Sequence, residues 1–156
     1  MRKIAALLIC MLLLSGCAAA EQSVALPESR YVISVPDDMK YSEPDEKDEG
    51  VYAYISNALE MDYRSYPVAE AAAFGLQPTL QESAEGLAAN GADVELREVN
   101  GIEMLVYRLT DDADGAKCIG YVFQDRTQIV EVFFWYGTQE AADTTKAIME
   151  TIRISE

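Results

Sequence analysis

Side chains suited to nucleophilic or metal chemistry are scarce in this 156-residue sequence. It has no histidine, so the commonest general base and the commonest transition-metal ligand are both missing. Without histidine, neither a Ser-His nor a Cys-His catalytic pair can form. We therefore expect the protein not to be an enzyme; a hydrolase that uses two carboxylates is a weaker alternative, which needs a cleft to hold them.

Two acidic segments could attract cations. Thr110–Gly115 (TDDADG) places oxygen-bearing side chains before a glycine, as calcium loops do, but Tyr121 stands where such a loop needs its bidentate glutamate. An acidic turn is the simpler interpretation. Glu43–Glu49 (EPDEKDE) packs five carboxylates around one lysine and one proline, which is typical of a solvated loop. The sequence predicts no metal site and no cofactor.

The N-terminal residues have the pattern of a secretory signal. Arg2 and Lys3 precede an apolar run from Ile4 to Leu14, and the small residues Ser15 and Gly16 follow that run. A run of that length is too short for a helix that crosses a bilayer, which needs about 20 residues. Residues 1–16 are therefore predicted to be a signal peptide that is removed, and Cys10 leaves with it.

The segment Leu14-Ser15-Gly16-Cys17 resembles the lipobox of bacterial lipoproteins. That resemblance implies that Cys17 becomes the first residue of the mature chain and carries palmitate-type acyl chains that anchor it to the membrane, outside the cytoplasm. The alternative is an ordinary signal peptide cut within Ala18–Ala20. We expect residues 17–26 to be a lipidated tether and residues 27–156 to form one domain.

Charge and the remaining cysteine limit the classes of function. The chain has 12 basic and 27 acidic residues; removal of Arg2 and Lys3 leaves ten basic residues and a net charge of about −17. Nucleic acid is therefore an unfavourable partner, and so is anionic lipid lying against the folded surface. Cys118 has no cysteine to pair with in the domain, and we interpret it as a small buried apolar residue, with a reactive thiol as the alternative.

Hydrophobic spacing predicts an α+β domain with seven strands and two helices. The predicted strands are 30–35, 51–56, 59–66, 94–99, 102–110, 117–124 and 129–136. The dipeptide Asn100-Gly101 predicts a two-residue hairpin, and the apolar strand 129–136 is predicted to be central in the sheet. Helices are predicted between Pro78 and Gly91, and after Thr138, with Thr79 and Thr138 as caps.

The order of these elements resembles that of the PsbP-like group, which includes small DcrB-type lipoproteins. The resemblance is carried by the segments Tyr31–Pro36, Val99–Ile102, Val132–Tyr136 and Met149–Ile154. It implies a single antiparallel sheet of about seven strands sandwiched by helices, in proteins that bind or help assemble larger membrane-associated complexes. Histidine-based metal sites reported for some members cannot exist here.

Aromatic residues in the strands are the remaining candidates for a binding site. The predicted binding residues are Tyr52, Tyr54, Phe133 and Trp135, and Tyr107 is a further aromatic residue in a predicted strand. We expect two helices to leave part of a wide sheet uncovered, so that some of these side chains are exposed. We interpret the chain as a membrane-anchored, non-enzymatic binding or assembly module whose partner is an envelope protein. The alternative is a small extracytoplasmic ligand-binding protein, which a closed apolar cavity would favour.

Overall fold

The computed structural model describes residues 21–43, 50–110 and 117–155. The strands are β1 Glu21–Ala25, β2 Tyr31–Pro36, β3 Lys40–Ser42, β4 Val51–Ile55, β5 Leu59–Pro67, β6 Asp93–Val99, β7 Ile102–Thr110, β8 Lys117–Asp125, β9 Gln128–Tyr136 and β10 Arg153–Ile154. A 3₁₀ helix covers Val68–Phe74, and the α-helices are α1 Leu80–Ala89 and α2 Gln139–Glu150. The predicted signal peptide, Cys17 and most of both acidic segments lie outside these residues.

The predicted turn and caps are present. Asn100 and Gly101 both have positive φ, 51° and 79°, which the tight turn between β6 and β7 requires. The hydroxyl of Thr79 accepts a hydrogen bond from the Glu82 amide at the start of α1, and that of Thr138 accepts one from the Ala141 amide at the start of α2. The two threonine caps and the Asn100-Gly101 turn therefore lie where the sequence predicted them.

Seven strands form one antiparallel sheet in the order β3-β4-β5-β9-β8-β7-β6. Strand β9 lies at its centre, as its apolar sequence predicted. The predicted α+β class and seven-stranded antiparallel sheet are confirmed.

The first predicted strand belongs to a different sheet. Strand β2 lies between β1 and β10 in a separate three-stranded sheet, so the prediction of a single sheet is wrong in this respect. The short strand β3, which was not predicted, takes the seventh place in the large sheet. Three residues are too few for an alternation pattern to be recognised.

The predicted tether boundary is also wrong. Residues 21–25 pair with β2 along their whole length, and the side chains of Val24 and Leu26 are buried in the core. These two apolar residues, two positions apart, place one face of β1 against the core. The folded domain therefore begins at or before Glu21, and not at Pro27.

The two faces of the large sheet are covered differently. On one face, which we call the closed face, the three-stranded sheet and α2 bury a continuous core that includes Met61, Tyr63, Val132 and Phe134. On the other face, the 3₁₀ helix and α1 cover a smaller cluster that includes Leu105, Val122 and Ile129.

Among the described residues, none of the helices has both the length and the apolar character that a membrane span requires.

Candidate contact groove

The four aromatic residues predicted to bind do not form one patch. Tyr52 and Tyr54 lie opposite Tyr63 and Met61 in the register of β4 and β5, so they face the closed core and are half-buried there. Tyr52 contacts Tyr63 with ring centroids 6.1 Å apart. The prediction that Tyr52 and Tyr54 belong to an exposed binding patch is therefore wrong, because the alternation of side chains along β4 turns both residues toward the core.

Phe133 and Trp135 lie on the opposite face, beyond the part that the helices cover. Together with strands β4, β5, β7 and β8 they line a groove of about 710 Å³ that is open to solvent. We call this the open groove; its lining includes Ile55, Asp62, Arg64, Leu109, Phe133 and Trp135.

Three large apolar side chains are exposed along the open groove. The exposed fractions are 40% for Ile55, 44% for Leu109 and 41% for Trp135. The indole Nε1 of Trp135 donates a hydrogen bond to Asp62 Oδ2 at 3.2 Å, which fixes the ring across neighbouring strands. Apolar surface of this kind, bordered by polar groups, is typical of interaction sites.

Arg64 and Glu131 form an ion pair at one side of the groove. The Nε of Arg64 donates to Glu131 Oε2, and the Tyr66 hydroxyl donates to the same oxygen at 2.9 Å. The guanidinium carbon of Arg64 lies 4.7 Å from the ring centroid of Phe74 and 4.8 Å from that of Phe133. A carboxylate that is almost fully buried is thus compensated by charge and by hydrogen bonds.

Burial raises the pKa of Glu131, and the Arg64 guanidinium opposes that rise. Because Glu131 balances the charge of Arg64, Glu60 and Asp62 leave the open groove with a net negative charge. A cationic group approaching the Trp135 ring would meet both carboxylate charge and an aromatic face.

Cys118 and Tyr107, which line the groove, are both protonated at neutral pH. Burial raises the pKa of the Cys118 thiol to about 12, so it is a thiol and not a thiolate at neutral pH. Burial also raises the pKa of Tyr107, whose ring lies over Gly120, so closely that a Cβ atom there would come within 2.2 Å of it. Among the described residues no group of three His, Cys, Asp or Glu side chains could hold a metal ion. The arrangement is suited to binding and offers no activated nucleophile.

A second cavity, of about 800 Å³, lies beside the β6–β7 turn and the C-terminal strand. Its arginines already have partners: Arg30 contacts Asp125 at 2.7 Å and Arg153 donates to Ser23 at 2.8 Å. It combines these with scattered apolar side chains such as Leu96 and Ile154. The open groove is the stronger candidate because three large exposed apolar side chains line it, against two in the second cavity.

Phe133 and Trp135 were predicted from the sequence as binding residues, and that role stays a prediction. Asp62, Arg64 and Glu131, which lie beside them, were not among the predicted residues. One signal was available. Glu131 is the single carboxylate in an otherwise apolar central strand, and a charge at such a position needs a partner on a neighbouring strand. Finding that partner required the register of β5 and β9, which the sequence does not give.

No family model matches the chain, and no curated protein matches it. Several solved structures are similar to the chain in fold. One is a crystal structure from Bacteroides thetaiotaomicron, with a TM-score of 0.62 and 9% identity, over 86% of this chain and 48% of the other. This chain therefore spans about half the length of that one.

Two further similar structures have names. The solution structure of cyanobacterial PsbP (CyanoP) from Synechocystis sp. PCC 6803 has a TM-score of 0.57 and 12% identity, over 90% of this chain and 95% of that one. The crystal structure of LpqN, involved in cell envelope biogenesis of Mycobacterium tuberculosis, has a TM-score of 0.48 and 14% identity, over 88% and 91%. Such low identities show the fold alone. The DcrB-type assignment stays a prediction, and the chain has a PsbP-like fold.

Proposed function

We propose that this protein is a membrane-anchored, extracytoplasmic binding module, without enzymatic activity, whose open groove contacts an envelope protein. The observation that carries the proposal is the open groove itself, where Ile55, Trp135 and Leu109 are exposed in one row across the sheet. Glu60 and Cys118 lie between them in that row. Exposed apolar side chains of this size are maintained at a cost in solubility, which a contact surface explains. The anchor part of the proposal depends on the lipobox-like segment that ends at Cys17.

The charges of the groove indicate the chemistry of the partner. Glu60 and Asp62 make it negative beside the Trp135 ring. A partner segment that presents apolar side chains next to a lysine or arginine would match both features. Binding of that kind weakens with salt, because exposed charge pairs are screened over about 8 to 10 Å near physiological ionic strength.

The state of the ionisable groups supports a role in binding over one in catalysis. Cys118 is held as a neutral thiol, and the Glu131 carboxylate is engaged by Arg64 and Tyr66. A catalytic site usually keeps at least one group poised for proton transfer or attack.

A small-molecule role is the second candidate. The groove volume of about 710 Å³ is within the range of ligand pockets. However, the groove is open along the sheet, whereas ligand pockets bury most of the surface of what they bind. We therefore favour a protein segment as the occupant.

Photo-crosslinking in cells tests the proposal. A benzophenone-bearing residue is placed at Leu109, in the groove, or at Ile154, an apolar residue outside the groove that is at least as exposed. We expect one dominant envelope protein to be crosslinked from Leu109 only, through a segment that contains a basic residue and apolar residues, as mapped by mass spectrometry. Its capture should decrease with salt and require acylation of Cys17.

Equal capture from both positions, or none from Leu109, would argue against the groove as the contact surface. A small molecule that co-purifies with the protein and is displaced by Trp135→Ala would instead favour the ligand-binding role.

A further inference from the structure

Strand β1 joins the predicted anchor firmly to the domain. Its five residues pair with β2 from Glu21, opposite Pro36, to Ala25, opposite Val32. The Gln22 side chain also donates hydrogen bonds to the carbonyl oxygens of Met39, at 2.6 Å, and Pro36, at 3.3 Å. The chain is therefore part of the domain from Glu21 onward.

This pairing limits how far the domain can move from Cys17. Only three residues separate Cys17 from Glu21. Four Cα to Cα steps reach at most about 14 Å, whatever conformation they adopt. A free tether up to Leu26 would have reached about 32 Å, which allows many orientations.

The same pairing determines which end of the domain is near the anchor. Glu21 lies beside Pro36 and the Asp37–Asp38 turn, and the next strand begins there at Lys40. We call this the near end. The far end holds the loop before β2 and the β8–β9 turn, which Arg30 and Asp125 connect at 2.7 Å. The length of β2 alone separates the two ends by about 16 Å.

The near end is acidic. Glu21, Asp37 and Asp38 are exposed there, and the amine of Lys40 is engaged by the carbonyl oxygen of Asp37. Carboxylates are repelled by anionic headgroups and cannot enter the hydrocarbon region without a large desolvation cost. The short link to Cys17 therefore holds the near end close to the bilayer, and its carboxylates keep it from inserting.

We propose that β1 orients the domain upright on the lipid surface, with the near end held within about 14 Å of the anchor and the far end directed away. This inference rests on the proposed membrane anchor at Cys17. It also places one rim of the open groove close to the bilayer, because Ile55 pairs with Lys40 at the near end. A groove partner would then have to present its binding segment close to the membrane.

Energy transfer to labelled lipid tests this orientation. In a Cys118→Ala chain that begins at Cys17, the Cys17 thiol is coupled to a maleimide-bearing lipid in vesicles that contain a headgroup-labelled acceptor. The donor dye is attached to an azide-bearing residue that replaces either Asp38, at the near end, or Thr127, at the far end. Both positions are exposed. We expect transfer from position 38 to exceed that from 127 by about twofold, given a separation of at least about 16 Å. A ten-residue Gly/Ser insertion between Ala20 and Glu21 is the control and should remove the difference.

Equal transfer from the two positions without the insertion, or stronger transfer from 127, would overturn the orientation. Chemical coupling separates this result from the proposed function, since mass spectrometry of the cell-derived protein reports independently whether Cys17 is acylated. An unacylated native chain would refute the anchor even if the coupled chain stands upright.

Discussion

Neighbouring residues of the central strand β9 have opposite environments. Phe134 points to the closed face and is fully buried, at 0% exposure, whereas Trp135 points to the open groove and is 41% exposed. The closed face has a three-stranded sheet and a helix over it, and the groove has no described element over it. The difference indicates that the closed face supplies stability, whereas the apolar groove residues are free to serve contact.

Truncation of the two neighbours should separate these roles most strongly. Phe134→Ala should lower the free energy of unfolding by about 3–5 kcal/mol, because it removes a fully buried ring and leaves a cavity. Trp135→Ala should cost less than about 1 kcal/mol, as is usual for exposed side chains. Urea denaturation of both variants measures this. Similar losses for the two would mean that the groove is part of the core.

The ion pair beside the groove gives the next largest effect. Arg64→Met should destabilise the protein by about 2–4 kcal/mol at pH 7, because Glu131 then keeps a buried charge without its partner. The double variant with Glu131→Gln should recover part of that loss. Full stability of Arg64→Met would show that the pair is not needed to compensate the buried carboxylate.

The pH dependence of Arg64→Met has a defined sign. Burial raises the pKa of folded Glu131 above its ordinary value of 4.5, so over that interval the folded state binds a proton that the unfolded state has released. Stability from this group is therefore largest below pH 4.5 and is lost as the pH rises through the folded pKa. Loss of Arg64 raises that pKa further, so denaturation curves of the variant should improve on acidification more than those of the wild type. An equal response of the two proteins would contradict this assignment.

A smaller effect is expected at Gly120, which lies against the ring of the groove residue Tyr107. A Cβ atom at this position would come within 2.2 Å of the Tyr107 ring, so Gly120→Ala should cost about 1–3 kcal/mol as the ring is displaced. Gly86→Ala is a matched control within α1, where no atom outside its chain neighbours and the surrounding helix backbone lies within 4 Å of the new Cβ. It should raise stability by about 0.5–1 kcal/mol, the helix propensity difference. A melting temperature that Gly120→Ala leaves unchanged or raises would refute the close contact.

The sequence predicted the local elements well because each had its own signal. Asn100-Gly101 needs a tight turn, Thr79 and Thr138 cap helices, and the apolar run of β9 requires burial on both faces. Strands β1, β3 and β10 were not predicted, because their hydrophobic patterns are short and their pairing depends on residues far away in the sequence. The strands β1, β3 and β10 have five residues or fewer, and β10 has only two.

The groove was only half predictable for a similar reason. Trp135 is an aromatic residue in a predicted strand, which made it a binding candidate, but which face it occupies depends on the register with β5. Tyr52 and Tyr54 had the same composition signal and lie on the other face. Pairing between Arg64 and Glu131, 67 positions apart, is a tertiary fact that no local pattern encodes.

The most direct test of the groove as contact surface compares two exposed aromatic residues. Trp135→Ala removes a groove residue, and Tyr41→Ala removes one that is 49% exposed and lies outside the groove. Both variants are expressed at equal levels in cells with Cys17 intact, and capture of the proposed envelope partner by the crosslinker at position 109 is quantified. We predict that Trp135→Ala loses most of the capture and that Tyr41→Ala keeps it. Equal capture by the two variants would contradict the account.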